Sequence, residues 1–402
     1  LPVALFIIFV KRKCHMHILI SGAGIAGLTL AYWLQRQGHH PVVIEQAPRL
    51  RDDGFMIDFF GPGYAVAERM ALMEAFASIQ GPISRLTFLD KHGHERIDLA
   101  YETLRSMLGG KLFSFMRGDL VRILHSAVKA EVPLHFGVSV ASLRQQPSCV
   151  EVTFTNGTGG TFDLVVGADG VHSRIRHLLF GDEAQFNHFL GYYVAAFITE
   201  EALVAPDALH TLLVPRRRIS ICPLSRNKCA TLLLYRAPHV LDTLSRRMIE
   251  HELQREFGAL GWIVPDLLKQ ARQTEHVYID ALTQIVLPQW SKGRVVLLGD
   301  ACQCVSPAAG QGASLAMAGA YMLARELTGE RNPLLAFARY EHQLKPVIER
   351  KQKAGQRLAR LFFAPDNHFY LTMQQLSLRM MMCSLTAPLI KRNFAWNEQL
   401  GL

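Results

Sequence analysis

Glycines at positions 22, 24 and 27, set as Gly22-x-Gly24-x-x-Gly27, and a glutamate at position 45 have types and spacing that define a chemistry. Gly22 permits a tight turn, Gly24 lets the backbone approach a pyrophosphate, and Gly27 lets a helix pack close to a strand. The backbone N–H groups at that helix start, from Gly24 through Ile25 and Ala26, then hold the phosphate charge. Glu45 follows about 20 residues on, where a carboxylate hydrogen-bonds a ribose hydroxyl. These residues describe a dinucleotide site. A second set is Asp169-Gly170, followed by Ser173 and Arg176. Alone it admits a strand, a turn and an N-capped helix as readily as a ligand contact. A third set is Gly299-Asp300, then Pro307, Gly310, Gln311, Gly312 and Ala313. The Asp300 carboxylate is suited to a ribitol or ribose hydroxyl. Gly310 and Gly312 expose N–H groups at a helix start, whose positive end suits the negative charge of a reduced flavin ring. An ordinary strand–loop–helix crossover is the other reading of that segment.

Each set is placed by a recognisable element. Residues 16–21 read as a buried strand, 28–34 as a helix ended at Gly38, and 41–45 as a second buried strand, which gives a βαβ unit around the glycine turn. Residues 163–168 and 294–298 are further buried strands that deliver Asp169 and Asp300 into turns, and an Ala-rich helix covers 313–327. Between the second and third sets, 189–198, 209–214, 218–223 and 230–235 read as strands broken by Pro and charged turns. This strand-rich insert is the natural substrate platform, with Tyr193, Phe197 and Tyr235 as candidate contacts and core packing as their other role. Gly54, in the apolar stretch 53–61, is placed either beside the cofactor or at a buried strand edge. The C-terminal part reads as two helices, 337–363 and a Met-rich 369–385, the second taken as a cap on the sheet.

The 402 residues exceed one compact core, so two domains or a composite fold are expected. The formal net charge is +9, with basic runs at 11–13, 216–218 and 246–247. No zinc-finger spacing or aromatic interleaving accompanies them, so they read as solvated surface rather than a nucleic-acid face, and a cationic protein can instead draw in anionic small molecules such as dinucleotides. Seven scattered cysteines imply reduced thiols and a cytoplasmic address. Cys302-x-Cys304 lacks companions for a metal set. The first ten residues are apolar but fall short of the ~20 that cross a bilayer and lack a signal-peptide layout, so 1–15 are taken as an extension outside the working fold. Sequences such as G-x-S-x-G, H-E-x-x-H and the P-loop are absent, so no side-chain nucleophile is assigned.

In this order and spacing the three sets resemble the single-component (class A) flavoprotein aromatic hydroxylases, the p-hydroxybenzoate hydroxylase-like family. The likeness runs from about residue 16 to Tyr340-Glu341 and Lys345-Pro346. It implies an α/β fold, a glutathione-reductase-like FAD-binding Rossmann domain (16–75, 112–180 and 281–330) with an inserted strand-rich substrate domain (76–111 and 181–280) and C-terminal helices (331–402). It also implies that Glu45 binds the adenosine ribose, Asp300 the ribityl chain, and Arg117, in Met116-Arg117-Gly118-Asp119-Leu120, the FAD. The Asp169-Gly170 set resembles the family segment serving both FAD and a transient NADPH or NADH. The chemistry implied is O2-dependent hydroxylation of an aromatic or polycyclic small molecule through a flavin C4a-hydroperoxide, by a monomer without membrane insertion. Two departures are Gln303, where the family often has His, and Gly319-Ala320, where it has Asp-Ala. Residues 116–120 and 310–316 also resemble tetracycline-inactivating monooxygenases. A flavin reductase acting on a prenyl-like lipid and a non-catalytic flavoprotein that sequesters a ligand remain rival readings, and a halogenase is disfavoured by the single Trp262.

Overall fold

The computed structural model describes residues 15–50, 55–201, 203–225, 227–241, 245–305, 311–330, 332–358, 371–373 and 376. A six-stranded sheet sits at its centre. Strand His17–Ser21 pairs in parallel with His40–Glu45 on one side and Leu164–Gly167 on the other. Outward from these lie Leu134–Phe136 and Val295–Leu297, both parallel, and the short Ser291–Lys292 edge, antiparallel. Ile18, Leu19 and Ile20 are fully buried, as a parallel strand covered on both faces requires. Helix Ile25–Arg36 is apolar nearly all round because it lies between this sheet and helix Gly312–Gly329. An antiparallel three-stranded unit, Val140–Gln145, Val150–Phe154 and Gly159–Phe162, leads into Leu164–Gly167. The arrangement is a mixed α/β fold with a Rossmann-like cofactor domain and a second, strand-rich layer.

That second layer is a seven-stranded sheet in the order Tyr278–Ile285, Asn187–Thr199, Lys228–Arg236, Arg217–Ser225, Ala208–Val214, Arg85–Leu89, Glu95–Ala100. Successive side chains alternate between its faces. One face, with Ala195, Leu233, Ile219 and Ile221, packs on helices Arg246–Phe257 and Val264–Gln273 through Ile249, Leu253, Phe257 and Leu267. Each such side chain contributes about 1.5–3 kcal/mol on burial. The opposite face carries Arg218, Ser220 and Cys222 and turns toward a two-stranded ribbon, Met56–Phe59 paired with Phe113–Met116. The ribbon's own alternation joins the two layers. Phe59, Phe113 and Phe115 enter the cofactor-domain core with Phe76, while Met56 and Met116 meet Cys222 and Leu209 from the sheet.

Helix Pro333–Leu358 closes the described chain and runs through Pro346 without ending. Its Tyr340 hydroxyl donates to the Leu297 carbonyl (3.3 Å), and Glu341 accepts from the Trp290 N–H (2.8 Å). The Tyr-Glu pair thus fastens the helix beside the strand that delivers Asp300. This helix begins four residues before the expected 337, and the part of the expectation beyond 358 lies outside the described residues. Of the second expected helix, 371–373 and 376 are described and helical. Residues 1–14 also lie outside the described set; His15 contacts the Gly38 carbonyl. Among the described residues no helix is long and apolar enough to cross a membrane.

Candidate cofactor and substrate site

The glycine turn is set by steric necessity at two of its three positions. Gly22 has φ +112°, and a Cβ there would stand 2.4 Å from the Ala168 carbonyl oxygen. A Cβ at Gly27 would stand 2.0 Å from the Gly22 oxygen. Gly24 differs: a Cβ there meets nothing within 4 Å. It opens helix Ile25–Arg36, which has neither a side-chain cap nor an acidic residue in its first turn. An uncapped helix start beside open space at Gly24 is what a pyrophosphate needs. Glu45 is aimed at the turn by two backbone donors, Ala23 N–H (3.0 Å) and Ala47 N–H (2.9 Å).

Strand Leu164–Gly167 brings Asp169 to the same edge, but its carboxylate is turned inward. It accepts from the Ser173 hydroxyl (2.5 Å) and the Ile175 N–H (3.0 Å), and the Ser173 oxygen accepts from the Arg176 N–H (3.0 Å). Asp169 and Ser173 together cap helix Arg174–Phe180. Burial pushes the Asp169 carboxyl up from the usual range. Gly170, at φ +81°, leaves its surroundings open. Arg176, 1% exposed, donates to the Val171 carbonyl (2.6 Å), the Ala301 carbonyl (3.0 Å) and Glu183 (3.1 Å). The second set is thereby tied to the third.

Gly299, at φ +64°, turns the chain where a Cβ would come 2.7 Å from Ala26 Cβ, so the third set abuts the first. Asp300 next to it is solvent-accessible although protein surrounds it, as for a group lining a cleft. That surrounding protein raises its carboxyl, against the pull of the Arg117 charge. Arg117 opens helix Arg117–Val128 with its N–H donated to the Phe55 carbonyl (3.1 Å). The Arg117 and Asp300 charges also reach Tyr278, whose ring lies 6.1 Å from Phe55 and whose hydroxyl donates to Asp280 (3.1 Å). Sequence reasoning missed Tyr278 because only the pairing of its strand beside Ala196 brings it there. His172 links the layers further, with Glu183 at 2.9 Å and Asp280 at 3.6 Å. Hydrogen bonds to Asp280 and Glu183 raise its pKa to about 10.

Gln311, buried, precedes helix Gly312–Gly329 and accepts a hydrogen bond from Lys351, whose pKa burial pulls down to about 7. Gly312 is open and Ala313 half-buried. The next residue, Ser314, accepts from the Gly63 N–H (2.8 Å). Gly54, Pro307 and Gly310 lie outside the described residues. The two departures from the family pattern meet in space. A Cβ at Gly319 would stand 2.8 Å from Gln303 Nε2, so the glycine makes room for the glutamine, which hydrogen-bonds Tyr340. The proposed substrate contacts need correction. Tyr193, Phe197 and Tyr235 are 4%, 3% and 0% exposed and lie on the helix-covered face, where they build core. Strand alternation assigned them to the face away from the ribbon.

An open helix start beside Gly24, a carboxylate held at the turn and a second carboxylate lining a cleft fit the phosphate, ribose and ribityl parts of FAD. Comparison with known proteins agrees. Residues 68–352 match the model of the FAD binding domain, and 20–66 that of the NAD(P)-binding Rossmann-like domain. An uncharacterised protein of Mycobacterium tuberculosis is 36% identical over 343 residues, spanning 83% of this chain and 91% of the relative. A flavin-dependent monooxygenase of Legionella longbeachae is 32% identical over 359 residues, spanning 88% and 91%. The crystal structure of the tetracycline destructase Tet(55) superposes with TM-score 0.80 at 29% identity, covering 92% of this chain and 96% of that one. The chain therefore belongs to the class A flavin monooxygenases and is an FAD-dependent monooxygenase.

Proposed function

We propose that the protein uses NADPH or NADH and O2 to hydroxylate an aromatic or polycyclic small molecule, a class that includes tetracycline-type antibiotics. The observation that carries this reading is the meeting of all three cofactor sets at the edge of the seven-stranded sheet, where Arg117, Asp300 and Tyr278 converge. The likeness to a tetracycline destructase supports the polycyclic class. When bound, FAD supplies hydride acceptance and delivery of one oxygen atom from O2. In this reading Gly22, Gly24, Ile25, Ala26 and Gly27 hold the pyrophosphate and Glu45 the adenosine ribose. Asp300 and Arg117 hold the ribityl chain and its neighbourhood, with Asp169-Gly170 beside them. The helix start at Gln311, Gly312 and Ala313, preceded in sequence by Pro307 and Gly310, would favour negative charge on the ring of bound FAD, and Gly54 would lie beside that ring. The enzyme is taken as a cytoplasmic monomer, which gel filtration and cell fractionation test.

The test is NADH and NADPH oxidation by the FAD-loaded protein in air, with phenolic and polycyclic compounds including tetracycline, read with product mass. Faster oxidation with a product one oxygen heavier supports the reading. Reduction of a compound without oxygen gain favours the reductase, and FAD binding without substrate-dependent oxidation the sequestering protein.

A further inference from the structure

Two consecutive residues of helix Pro333–Leu358 reach the third cofactor set, one at Cys304 and the other at Gln311. Gln352 Nε2 donates to the Cys304 carbonyl (3.0 Å) and to the Ile285 carbonyl (2.8 Å). Gln284, fully buried in the seven-stranded sheet, donates to the Val305 carbonyl (3.0 Å) and to the Gln352 carbonyl (2.9 Å), and accepts from Gln356 (2.9 Å). Gly355 lets this helix face come close, since a Cβ there would stand 3.2 Å from the Val305 oxygen. Lys351 donates to the side-chain oxygen of Gln311, the residue that precedes helix Gly312–Gly329. Lys351, Gln352 and Gln311 are each 5% exposed or less.

The two neighbours bring different things. Gln352 satisfies buried carbonyls of the segment that follows Asp300, a fastening that any well-placed amide can make. Lys351 brings a charge to a place where a cation is misplaced. A helix start is positive and favours anions, and cations belong at the other end. This start has neither a side-chain cap nor an acidic residue in its first turn. Burial lowers the Lys351 pKa to about 7, as desolvation of an ammonium does. An apolar side chain of similar length would fill the same space without that desolvation, so packing does not account for the amine. An anion at the helix start does, because the helix and the amine both attract it.

We propose that Lys351 is a positioning residue for bound FAD, acting through Gln311 so that the reduced cofactor is held more tightly than the oxidised one. This rests on the reading above in which the same helix start faces the flavin ring. Hydride transfer moves two electrons and a proton from the nicotinamide, which is oxidised, to the flavin, and leaves one net negative charge there. The Lys351 ammonium can only donate, so it turns the Gln311 oxygen toward itself and the Gln311 NH2 away. That NH2 lies on the side of Gly61, where a Cβ would stand 3.8 Å from Gln311 Nε2. Gln352 fastens the same set without a charge and is the matched contrast.

The test is the midpoint potential of FAD bound to the protein at pH 7, with affinity for oxidised FAD measured beside it. In wild type the bound cofactor has a higher potential than free FAD. Lys351→Met and Lys351→Gln lower it, so that the preference for reduced over oxidised FAD falls at least tenfold, or about 30 mV for a two-electron couple. Gln352→Leu weakens both forms alike and leaves the potential in place. FAD content and melting temperature of each variant report folding separately. A wild-type potential below that of free FAD, an unchanged potential in the Lys351 variants, or an equal fall in Gln352→Leu overturns the proposal. Gly312→Ala tests the underlying reading, because its Cβ enters space left open at the helix start. Unchanged potential and FAD affinity in Gly312→Ala would remove the ring from that helix start and the proposal with it. A change in Gly312→Ala beside unchanged Lys351 variants would remove the proposal alone.

Discussion

Gly27 and Asp58 place chemistry in opposite ways. At Gly27 a Cβ would stand 2.0 Å from a backbone oxygen, so the turn works because a side chain is missing. At Asp58 the backbone is plain strand, and the pairing with Ser114 decides which face carries the carboxylate. The cofactor domain thus offers open backbone at Gly24, and the ribbon and seven-stranded sheet present side chains sorted by register. The first kind of site is rigid in its residue identities. The second is rigid only in its pattern, which leaves substrate choice free to vary on a fixed cofactor platform.

Gly27→Ala tests the cofactor half most severely. It should cost more than about 3 kcal/mol by overpacking against backbone that cannot move aside and abolish FAD retention, read by thermal melting and flavin absorbance. Gly24→Ala sharpens the point, because its Cβ enters space that only a ligand would use. Stability should stay within about 1 kcal/mol while FAD affinity falls at least tenfold, or about 1.4 kcal/mol. Equal losses in both variants would erase the distinction between a packing glycine and an approach glycine. Arg176→Ala removes the side chain that ties the Asp169 turn to the Ala301 carbonyl, with an expected loss of about 3 kcal/mol.

The smaller effects lie deeper in the cofactor domain and at its contact with the seven-stranded sheet. Restoring the family residues through Gln303→His and Gly319→Asp should destabilise singly and recover in part together. A double-mutant cycle should show coupling of about 1 kcal/mol, and strict additivity would deny the shared space. His172→Gln should weaken the link to Asp280. The pKa of His172 is raised from 6.5 to about 10, so its stabilisation is full below about pH 6.5 and disappears as pH rises through 10. The imidazole is largely exposed, so the gap should be about 1 kcal/mol or less near pH 6 and vanish above pH 10 in paired melting curves. A gap that widens with pH would contradict the charge assignment.

The same contrast explains what could be read from the chain alone. The βαβ unit and the turns at Gly22, Asp169 and Gly299 were legible because their glycines and flanking apolar runs are local signals. The inward turn of the Asp169 carboxylate was not, since capping by Asp169 and ligand binding by Asp169 share one sequence pattern. In the seven-stranded sheet the four strands between 189 and 235 were legible, but Arg85–Leu89, Glu95–Ala100 and Tyr278–Ile285, and the faces of all seven, were not. Tyr193, Phe197 and Tyr235 were chosen for aromaticity, yet alternation assigns them to the helix-covered core. Tyr278 and the orientation of Asp58 were not legible because each depends on pairing with a strand distant in sequence, and Arg218 read only as part of a basic run.

The most direct test is a turnover with isotopically labelled O2, using FAD-loaded protein, NADPH or NADH and the compound that most accelerates oxidation of the nicotinamide. The account predicts one labelled oxygen in the product for each product molecule formed. A product whose new oxygen comes from water, or a substrate altered without gaining oxygen, would contradict it.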